Sequence, residues 1–237
     1  MGLGGAKRFY REVAVAAGDG GFRVLLDGRP VRTPAGAYLE VRSEALARAI
    51  AAEWAMQGTV LDPKTMPMTA LANTVVDRIG PARDAVMAEA VRHASGDLLC
   101  YRAAGPEELV RRQEQEWQTL TDWAGTYLGA TFRITSGIVA VDQPATVLNA
   151  IRATVRALDN EGLAVFSHVA ATTGSTVLAL ALIAGRIDAN AAYRAAVLDE
   201  AWQSERWGVD AEAETRRQAV ADDIRVAATF LALCRSV

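Results

Sequence analysis

The sequence predicts an α+β fold in which a small β-rich N-terminal part precedes a larger all-helical C-terminal part. Apolar and polar residues alternate through the first forty or so positions, which is typical of half-buried strands. From Ser43 onwards the apolar residues recur at three- and four-residue steps, as amphipathic helices require. We therefore expect a β-rich domain with one or two helices over residues 1–80, and a helical domain over residues 81–237.

Composition narrows the class of protein. The chain has 237 residues, of which 51% are hydrophobic and 22% are charged, as is usual for a globular domain. Its formal net charge of −3 argues against nucleic acid as a main partner. The longest nearly apolar run, Val177–Ala184, is less than half of what a membrane-spanning helix needs. Cys100 and Cys234 form no CxxC motif, and the first residues hold neither a signal core nor a presequence, so we expect a cytoplasmic protein.

The N-terminal strands follow from alternation and turn chemistry. The stretch FRVLLDGRPVRT (Phe22–Thr33) alternates apolar and polar residues around Asp27-Gly28, a pair that favours a tight hairpin turn. Pro30 and Pro34 restrict the returning strand to an edge or a short run, because proline has no backbone N–H to donate. Two further strands are expected, at Tyr10–Ala17 and Ala37–Val41.

The first helix is predicted to begin after Ser43, a favourable N-cap, with Leu46, Ile50 and Trp54 on one face. Its natural stop is at Gly58. The two prolines of Leu61–Thr69 predict a loop or an extended segment. Helices are expected to resume on either side of an interruption at Gly80-Pro81, over Thr69–Ile79 and Pro81–Ala94.

The best-defined helix begins at Pro106 and ends at Gly129, with an apolar stripe that runs from Leu109 through Trp117 to Tyr127. Both Trp54 and Trp117 complete such stripes, so we interpret them as core residues. Asp97–Arg102 is expected to be a short strand or a connector. The remaining helices are predicted at Pro144–Asp159, across much of Ala164–Ala184, at Ala189–Trp207 and at Asp210–Leu233.

Evidence for catalysis is weak. The two histidines, His93 and His168, lie in helical patterns among small residues, where packing or surface roles are more common than catalysis. Ser167–Thr176 (SHVAATTGST) has hydroxyls but no GxSxG elbow. Gly18–Gly21 (GDGG) lacks the Lys-Ser/Thr of a phosphate-binding loop and precedes a strand, so it predicts a turn. No set of residues has metal-ligand spacing, and we expect no catalytic residue, metal or cofactor.

The most unusual segment is Leu198–Arg217, LDEAWQSERWGVDAEAETRR, with two tryptophans, six carboxylates and three arginines. Gly208 is expected to close one helix in the left-handed conformation, and Asp210 to cap the next. Helix termini explain part of the acidic density, but not all of it. The remaining carboxylates predict a compact negative patch beside Trp207, suited to binding a basic and apolar protein surface.

Seven stretches, taken in order, resemble one family. They are KRFY, FRVLLDGRPVRTPAG, LARAIAAEW, DPKTMPMTALANTVVDR, DLLCYRA, LVRRQEQEWQTLTDWA and EAWQSERWGVDAEAETRR. The family is the assembly chaperone for the alpha subunit of the F-type ATP synthase, the ATP-twelve family. The resemblance extends from about Lys7 to Arg217, and the ordered set, more than any single motif, is specific.

The resemblance implies a β-rich N-terminal domain, a helical C-terminal domain, and an ATP-independent chaperone that shields the beta-facing surface of the free alpha subunit. It implies no membrane insertion, no nucleotide, and a bacterial cytoplasmic location, with mitochondrial relatives in eukaryotes. We expect client binding at the acidic C-terminal element, at Glu200, Glu205, Trp207, Asp210 and Glu212. The alternative is a small enzyme of unknown reaction that uses Ser167–Thr176, and it requires Ser167, His168 and Ser175 to converge in an open pocket.

Overall fold

The structure, a computed structural model, describes residues 5–137 and 140–236. Its longer strands lie within the first 41 residues, and helices dominate from Glu44 onwards, so the predicted α+β class is confirmed. The chain divides into two compact units. One comprises Met1–Arg83 with Thr229–Val237, and the other comprises Asp84–Ala228.

An antiparallel sheet organises the first unit. It contains β1 (Val13–Ala17), β2 (Phe22–Leu26), β3 (Arg29–Pro30) and β4 (Glu40–Val41). The central strand is β2, which pairs with β1 along its length and with β3 and β4 at its two ends. Asp27 and Gly28 join β2 to β3 with φ of 47° and 75°, the positive values of a tight hairpin turn, so that prediction is confirmed.

The first helix, α1 (Glu44–Ala55), packs against β1 and β2 and buries Ile50 and Trp54. The Ser43 side chain accepts from the Leu46 amide, as predicted for an N-cap. The structure contradicts the predicted loop over Leu61–Thr69, because α2 (Pro67–Thr74) already begins at Pro67. The amides at the N-terminus of α2 donate to a side chain that lies on another helix. The Glu53 carboxylate of α1 accepts from the amides of Met68 (2.6 Å) and Thr69 (2.8 Å), which no local pattern could predict.

Nine more α-helices follow in the described residues. They are α3 (Gly80–His93), α4 (Glu107–Gln113), α5 (Thr119–Leu128), α6 (Ala145–Ala157), α7 (Asn160–Thr173), α8 (Thr176–Ile183), α9 (Ala189–Ala196), α10 (Leu198–Trp207) and α11 (Ala211–Arg235). Single π-helical turns at Val75–Ile79 and Glu114–Gln118 link α2 to α3 and α4 to α5. Two short parallel strands, β5 (Tyr101–Arg102) and β6 (Thr135–Ser136), pair with each other.

Three helix boundaries differ from prediction. The predicted break at Gly80-Pro81 is a kink at Ala82 instead, where φ and ψ are −125° and 31°. The helical structure predicted across much of Ala164–Ala184 is divided into two helices, because Gly174 adopts a left-handed conformation and Ser175 caps α8. The helix predicted over Ala189–Trp207 breaks at Val197, whose ψ of 17° departs from the helical value.

The interior of the second unit surrounds two polar anchors. Trp117 is 0% exposed, and its indole N–H donates to the Ala195 carbonyl at 2.9 Å. Asp97 is also fully buried and accepts from the Leu99 amide, the Val177 amide and the Ser175 hydroxyl. Burial raises the pKa of the Asp97 carboxyl. These contacts tie the connector before β5 to the start of α8.

Candidate functional site

The acidic stretch forms a corner between α10 and α11, within the second unit. Gly208 terminates α10 with φ of 92° and ψ of 164°. The positive φ was predicted, but the backbone there is extended instead of left-handed helical, in a region that is essentially restricted to glycine. Asp210 caps α11 as predicted, since its Oδ1 accepts from the Glu212 amide at 2.9 Å.

An exposed apolar tip marks this corner. Trp207 is 74% exposed and Val209 is 69% exposed, one on each side of Gly208. The Trp207 ring packs perpendicular to that of Trp202, with ring centroids 5.5 Å apart, and Trp202 itself is buried. A large aromatic side chain on a buried aromatic support is a typical anchor in protein–protein interfaces.

The predicted compact negative patch beside Trp207 is interleaved with positive charge, because arginines pair with three of the six carboxylates of Leu198–Arg217. Glu205 pairs with Arg112 of α4 at 2.8 Å. Glu212 pairs with Arg216, one turn along α11, also at 2.8 Å. Three further pairs are Arg206 with Glu108, Arg112 with Glu108, and Arg217 with Glu214. The surface is therefore a mixed-charge frame around an apolar tip.

Two exposed carboxylates of the corner remain without an ion pair in the described part of the chain, Glu200 and Asp210. Both line a hollow of about 420 Å³ beside Trp207, together with Arg216 and Arg217. Six carboxylates and three arginines in Leu198–Arg217 leave a formal surplus of three negative charges. The structure thus brings Glu200, Trp207 and Asp210 to one hollow.

Glu205 and Glu212 lie outside that hollow, on the flanks of the corner. Glu205 faces α4 through its pair with Arg112, and Glu212 lies exposed on the first turn of α11. Asp199 points away from solvent, since it accepts from Gln113 Nε2 at 2.7 Å and burial raises the pKa of its carboxyl. Asp199 therefore supports the fold behind the corner.

Sequence reasoning missed the basic half of this frame. The Glu212–Arg216 pair has i, i+4 spacing, a signal that was available in the sequence. The Glu205–Arg112 pair joins residues that are far apart in sequence, so no local pattern reveals it. Val209 also went unremarked, because one apolar residue in a loop carries no periodic signal.

The segment considered for an enzyme does not form a convergent set. Ser175 is fully buried, donating to Asp97 at 2.8 Å and accepting from the Leu178 amide as the cap of α8. Ser167 and His168 are half-buried neighbours on α7, and His168 Nε2 lies 4.0 Å from an Asp223 carboxylate oxygen. The hydroxyl of Ser175 therefore serves helix capping and the Asp97 network.

Other candidate chemistry is equally sparse. Gly18–Gly21 forms a turn between β1 and β2, closed by a 2.7 Å bond from the Gly18 amide to the Gly21 carbonyl. His93 ends α3 on the surface. Across residues 5–137 and 140–236, no group of three or more His, Cys, Asp or Glu side chains could hold a metal ion. In the same ranges, no helix combines the length and the apolar character that crossing a membrane requires.

Comparison with known proteins gives a consistent result. A family model described as ATP12 chaperone protein matches residues 7–125. The mitochondrial protein atp12 of Schizosaccharomyces pombe is 23% identical over 214 residues, which cover 85% of this chain and 74% of that protein.

Solved structures extend the similarity to almost the entire chain. The crystal structure of Atp12 from Paracoccus denitrificans is 43% identical and superposes with a TM-score of 0.91, covering 97% of this chain and 99% of that one. A point mutant of the same protein gives the same identity and TM-score and is covered over 98% of its length. The chain therefore belongs to the ATP12 chaperone family.

Proposed function

We propose that this chain is an ATP-independent assembly chaperone that binds the free alpha subunit of the F-type ATP synthase and covers its beta-facing surface until assembly. The observation that carries the proposal is the 43% identity with Atp12 of P. denitrificans over 97% of the chain. Because those structures come from a bacterium, we propose the bacterial cytoplasm as the place of action.

The physical need for such a protein is clear. A subunit destined for an alternating alpha–beta ring exposes a large apolar interface before its neighbours arrive, and surfaces of this kind aggregate. A protein that covers the interface reversibly prevents this. Its affinity must remain moderate, because the beta subunit has to displace it by competition.

The client surface that we propose is the corner around Gly208, with Glu200, Glu205, Trp207, Asp210 and Glu212 as the contacting residues. Trp207 and Val209 supply exposed apolar area at the tip. The surplus of acidic groups favours a client surface with basic residues around an apolar depression. The ion pairs with arginines hold the side chains in place before the client arrives, which reduces the entropy lost on binding.

Release requires no nucleotide in this proposal. Addition of beta replaces the chaperone at the same surface of alpha, so the free energy of alpha–beta association drives dissociation. The glycine-rich turn at Gly18–Gly21 connects two strands and lacks the following helix N-terminus that phosphate binding uses.

The proposal is tested by mixing the purified chain with separately purified alpha and beta subunits and following complexes by size-exclusion chromatography. We expect a complex with alpha, none with beta, and loss of the alpha complex when beta is added. A complex with beta and none with alpha would show that the proposal names the wrong client. Survival of the alpha complex in excess beta would contradict release by competition.

A further inference from the structure

The first unit carries a cleft of about 880 Å³ that the proposed client surface does not use. Tyr10 and Trp54 line it, in edge-to-face contact with ring centroids 5.6 Å apart, and Leu26 and Val31 add aliphatic surface. Phe9, which also lines the cleft, is 66% exposed. The cleft is therefore an apolar depression with a large exposed aromatic side chain beside it.

One wall of the cleft is an open sheet edge. The strand β3 is the last in the order β1-β2-β3, and residues 29–34 line the cleft. Val31 donates to the Val24 carbonyl of β2 and accepts from the Leu39 amide. Alternate residues of an extended chain direct their backbone groups to opposite sides, so Pro30 and Arg32 present theirs away from β2. The Arg32 amide and carbonyl accordingly take part in no backbone hydrogen bond with any described residue.

Buried polar atoms provide a second observation. The indole N–H of Trp54 and the hydroxyl of Thr33 are buried and have no hydrogen-bond partner in the described chain, and both residues line the cleft. Both residues are more than nine-tenths buried. Buried polar groups in proteins are nearly always paired. Neither atom has appreciable solvent-accessible area, so a polypeptide in the cleft would pair with them only after the lining side chains shift.

Charge indicates what kind of polypeptide fits. Arg29 and Arg32 line the cleft, and the one carboxylate among its lining residues, that of Asp27, accepts at Oδ1 from the amides of Arg11 and Glu12. The rim is therefore net positive. A second copy of this chain paired edge to edge would bring like-charged arginines together, which disfavours self-association. An acidic residue beside an apolar one in the occupant would match this rim.

We propose that the cleft binds an extended apolar segment of the client, flanked by an acidic residue, as an added strand along Pro30 and Arg32. An edge of this kind binds peptides by main-chain hydrogen bonds, with pockets for alternate side chains. Pro30 and Pro34 keep the edge short, which limits unspecific strand pairing. The identity of this client rests on the proposed function, and the test below distinguishes failure of the cleft proposal from failure of the proposed function.

The test compares Arg32→Pro with Arg32→Ala, because both remove the guanidinium group and only proline removes the outward amide. Affinity for purified alpha subunit is measured with each variant, after thermal unfolding has confirmed that both are folded. We expect Arg32→Pro to bind about fivefold or more weakly than Arg32→Ala, as the loss of one backbone hydrogen bond predicts. In the wild-type protein, hydrogen exchange of the Arg32 amide is expected to slow when alpha is added. This second measurement decides the question if the proline variant does not fold.

Equal affinity of the two variants, with no protection of the Arg32 amide, would overturn the cleft proposal and leave the proposed function intact.

If wild-type protein does not bind alpha, the proposed function fails. The cleft is then tested with an array of peptides of about 15 residues that cover the alpha and beta subunits. Peptides that bind Arg32→Ala more tightly than Arg32→Pro would support the cleft proposal. An array in which no peptide binds would overturn it. A small molecule that co-purifies in the cleft, or a dimer lost in Arg32→Pro, would also overturn it.

Discussion

Two tryptophans of the second unit, Trp117 and Trp207, have opposite surroundings. Trp117 is 0% exposed, donates to the Ala195 carbonyl, and lies under the Arg102 guanidinium at 5.4 Å from the ring centroid. Trp207 is 74% exposed, and its ring packs perpendicular to that of Trp202. The comparison shows that a tryptophan surrounded by protein on all sides stabilises the fold, whereas one with an exposed ring is available to bind a partner.

The largest expected effect is that of Trp117→Arg. The change removes the indole packing and places a charge in a closed interior beside Arg102, each of which destabilises by about 3 kcal/mol or more. We expect an unfolded or aggregated protein, measured by circular dichroism and solubility. The same change at the exposed position, Trp207→Arg, is the matched control and is expected to melt nearly as wild type does. A soluble, folded Trp117→Arg protein would contradict the conclusion that Trp117 is needed for folding and Trp207 is not.

Asp97→Ala tests the interior through a polar anchor. The Leu99 and Val177 amides and the Ser175 hydroxyl would lose their acceptor where water cannot replace it. We expect a loss of about 3 kcal/mol or more in the free energy of unfolding, measured with urea. The control is Asp122→Ala, since Asp122 is exposed on α5, and a change within about 0.5 kcal/mol is expected there. Equal losses of unfolding free energy at both positions would show that the buried hydrogen bonds of Asp97 contribute no more to stability than an exposed carboxylate does.

A turn glycine of the first unit provides an intermediate test. Gly28 has φ of 75°, and a Cβ built there meets no atom within 4 Å, so backbone strain alone opposes a side chain. Gly28→Val is expected to destabilise the protein by about 1 kcal/mol or more, seen as a lower melting temperature. Gly58 is equally open but lacks a positive φ, so Gly58→Val should have a smaller effect. An unchanged melting temperature in Gly28→Val would refute the strain argument.

The smallest effects on stability are expected at the corner. Glu205→Lys and Glu212→Lys break exposed ion pairs with Arg112 and Arg216, which contribute below about 1 kcal/mol each. Binding of alpha should nevertheless weaken, because each reversal opposes the charge that the client presents. The binding defect should shrink as salt concentration rises, since salt screens exposed charges. Melting curves and co-purification of each variant measure both quantities, and a collapsed melting curve would assign these glutamates to the fold.

The sequence predicts the interior of this protein better than its surface. Helical spacing predicts the burial of Trp54 and Trp117, and local chemistry predicts the hairpin at Asp27-Gly28 and the caps at Ser43 and Asp210. These features depend on residues that are close in sequence, where periodicity and turn preferences apply.

Features that depend on distant residues could not be predicted. Glu53 satisfies the amides at the start of α2, so a helix begins where two prolines indicate a loop. Arg112 neutralises Glu205 from another helix. The apolar run of α8 is buried on every side and has no periodicity, so its separation from α7 at Gly174 was also missed. In the first two cases the deciding partner lies outside any local window, whereas the break between α7 and α8 follows from two adjacent residues, the left-handed Gly174 and the N-cap Ser175.

The central claim is that Trp207 binds the client while contributing little to stability. The most direct measurement is the affinity of Trp207→Ala for purified alpha subunit, beside Tyr127→Ala, which removes another exposed aromatic side chain of the same unit. We predict that Trp207→Ala melts close to wild type and binds alpha at least tenfold more weakly, since buried interface tryptophans contribute about 2 kcal/mol or more. Tyr127→Ala should bind normally. Unchanged affinity of Trp207→Ala for alpha would contradict the claim and remove this corner from the client-binding surface.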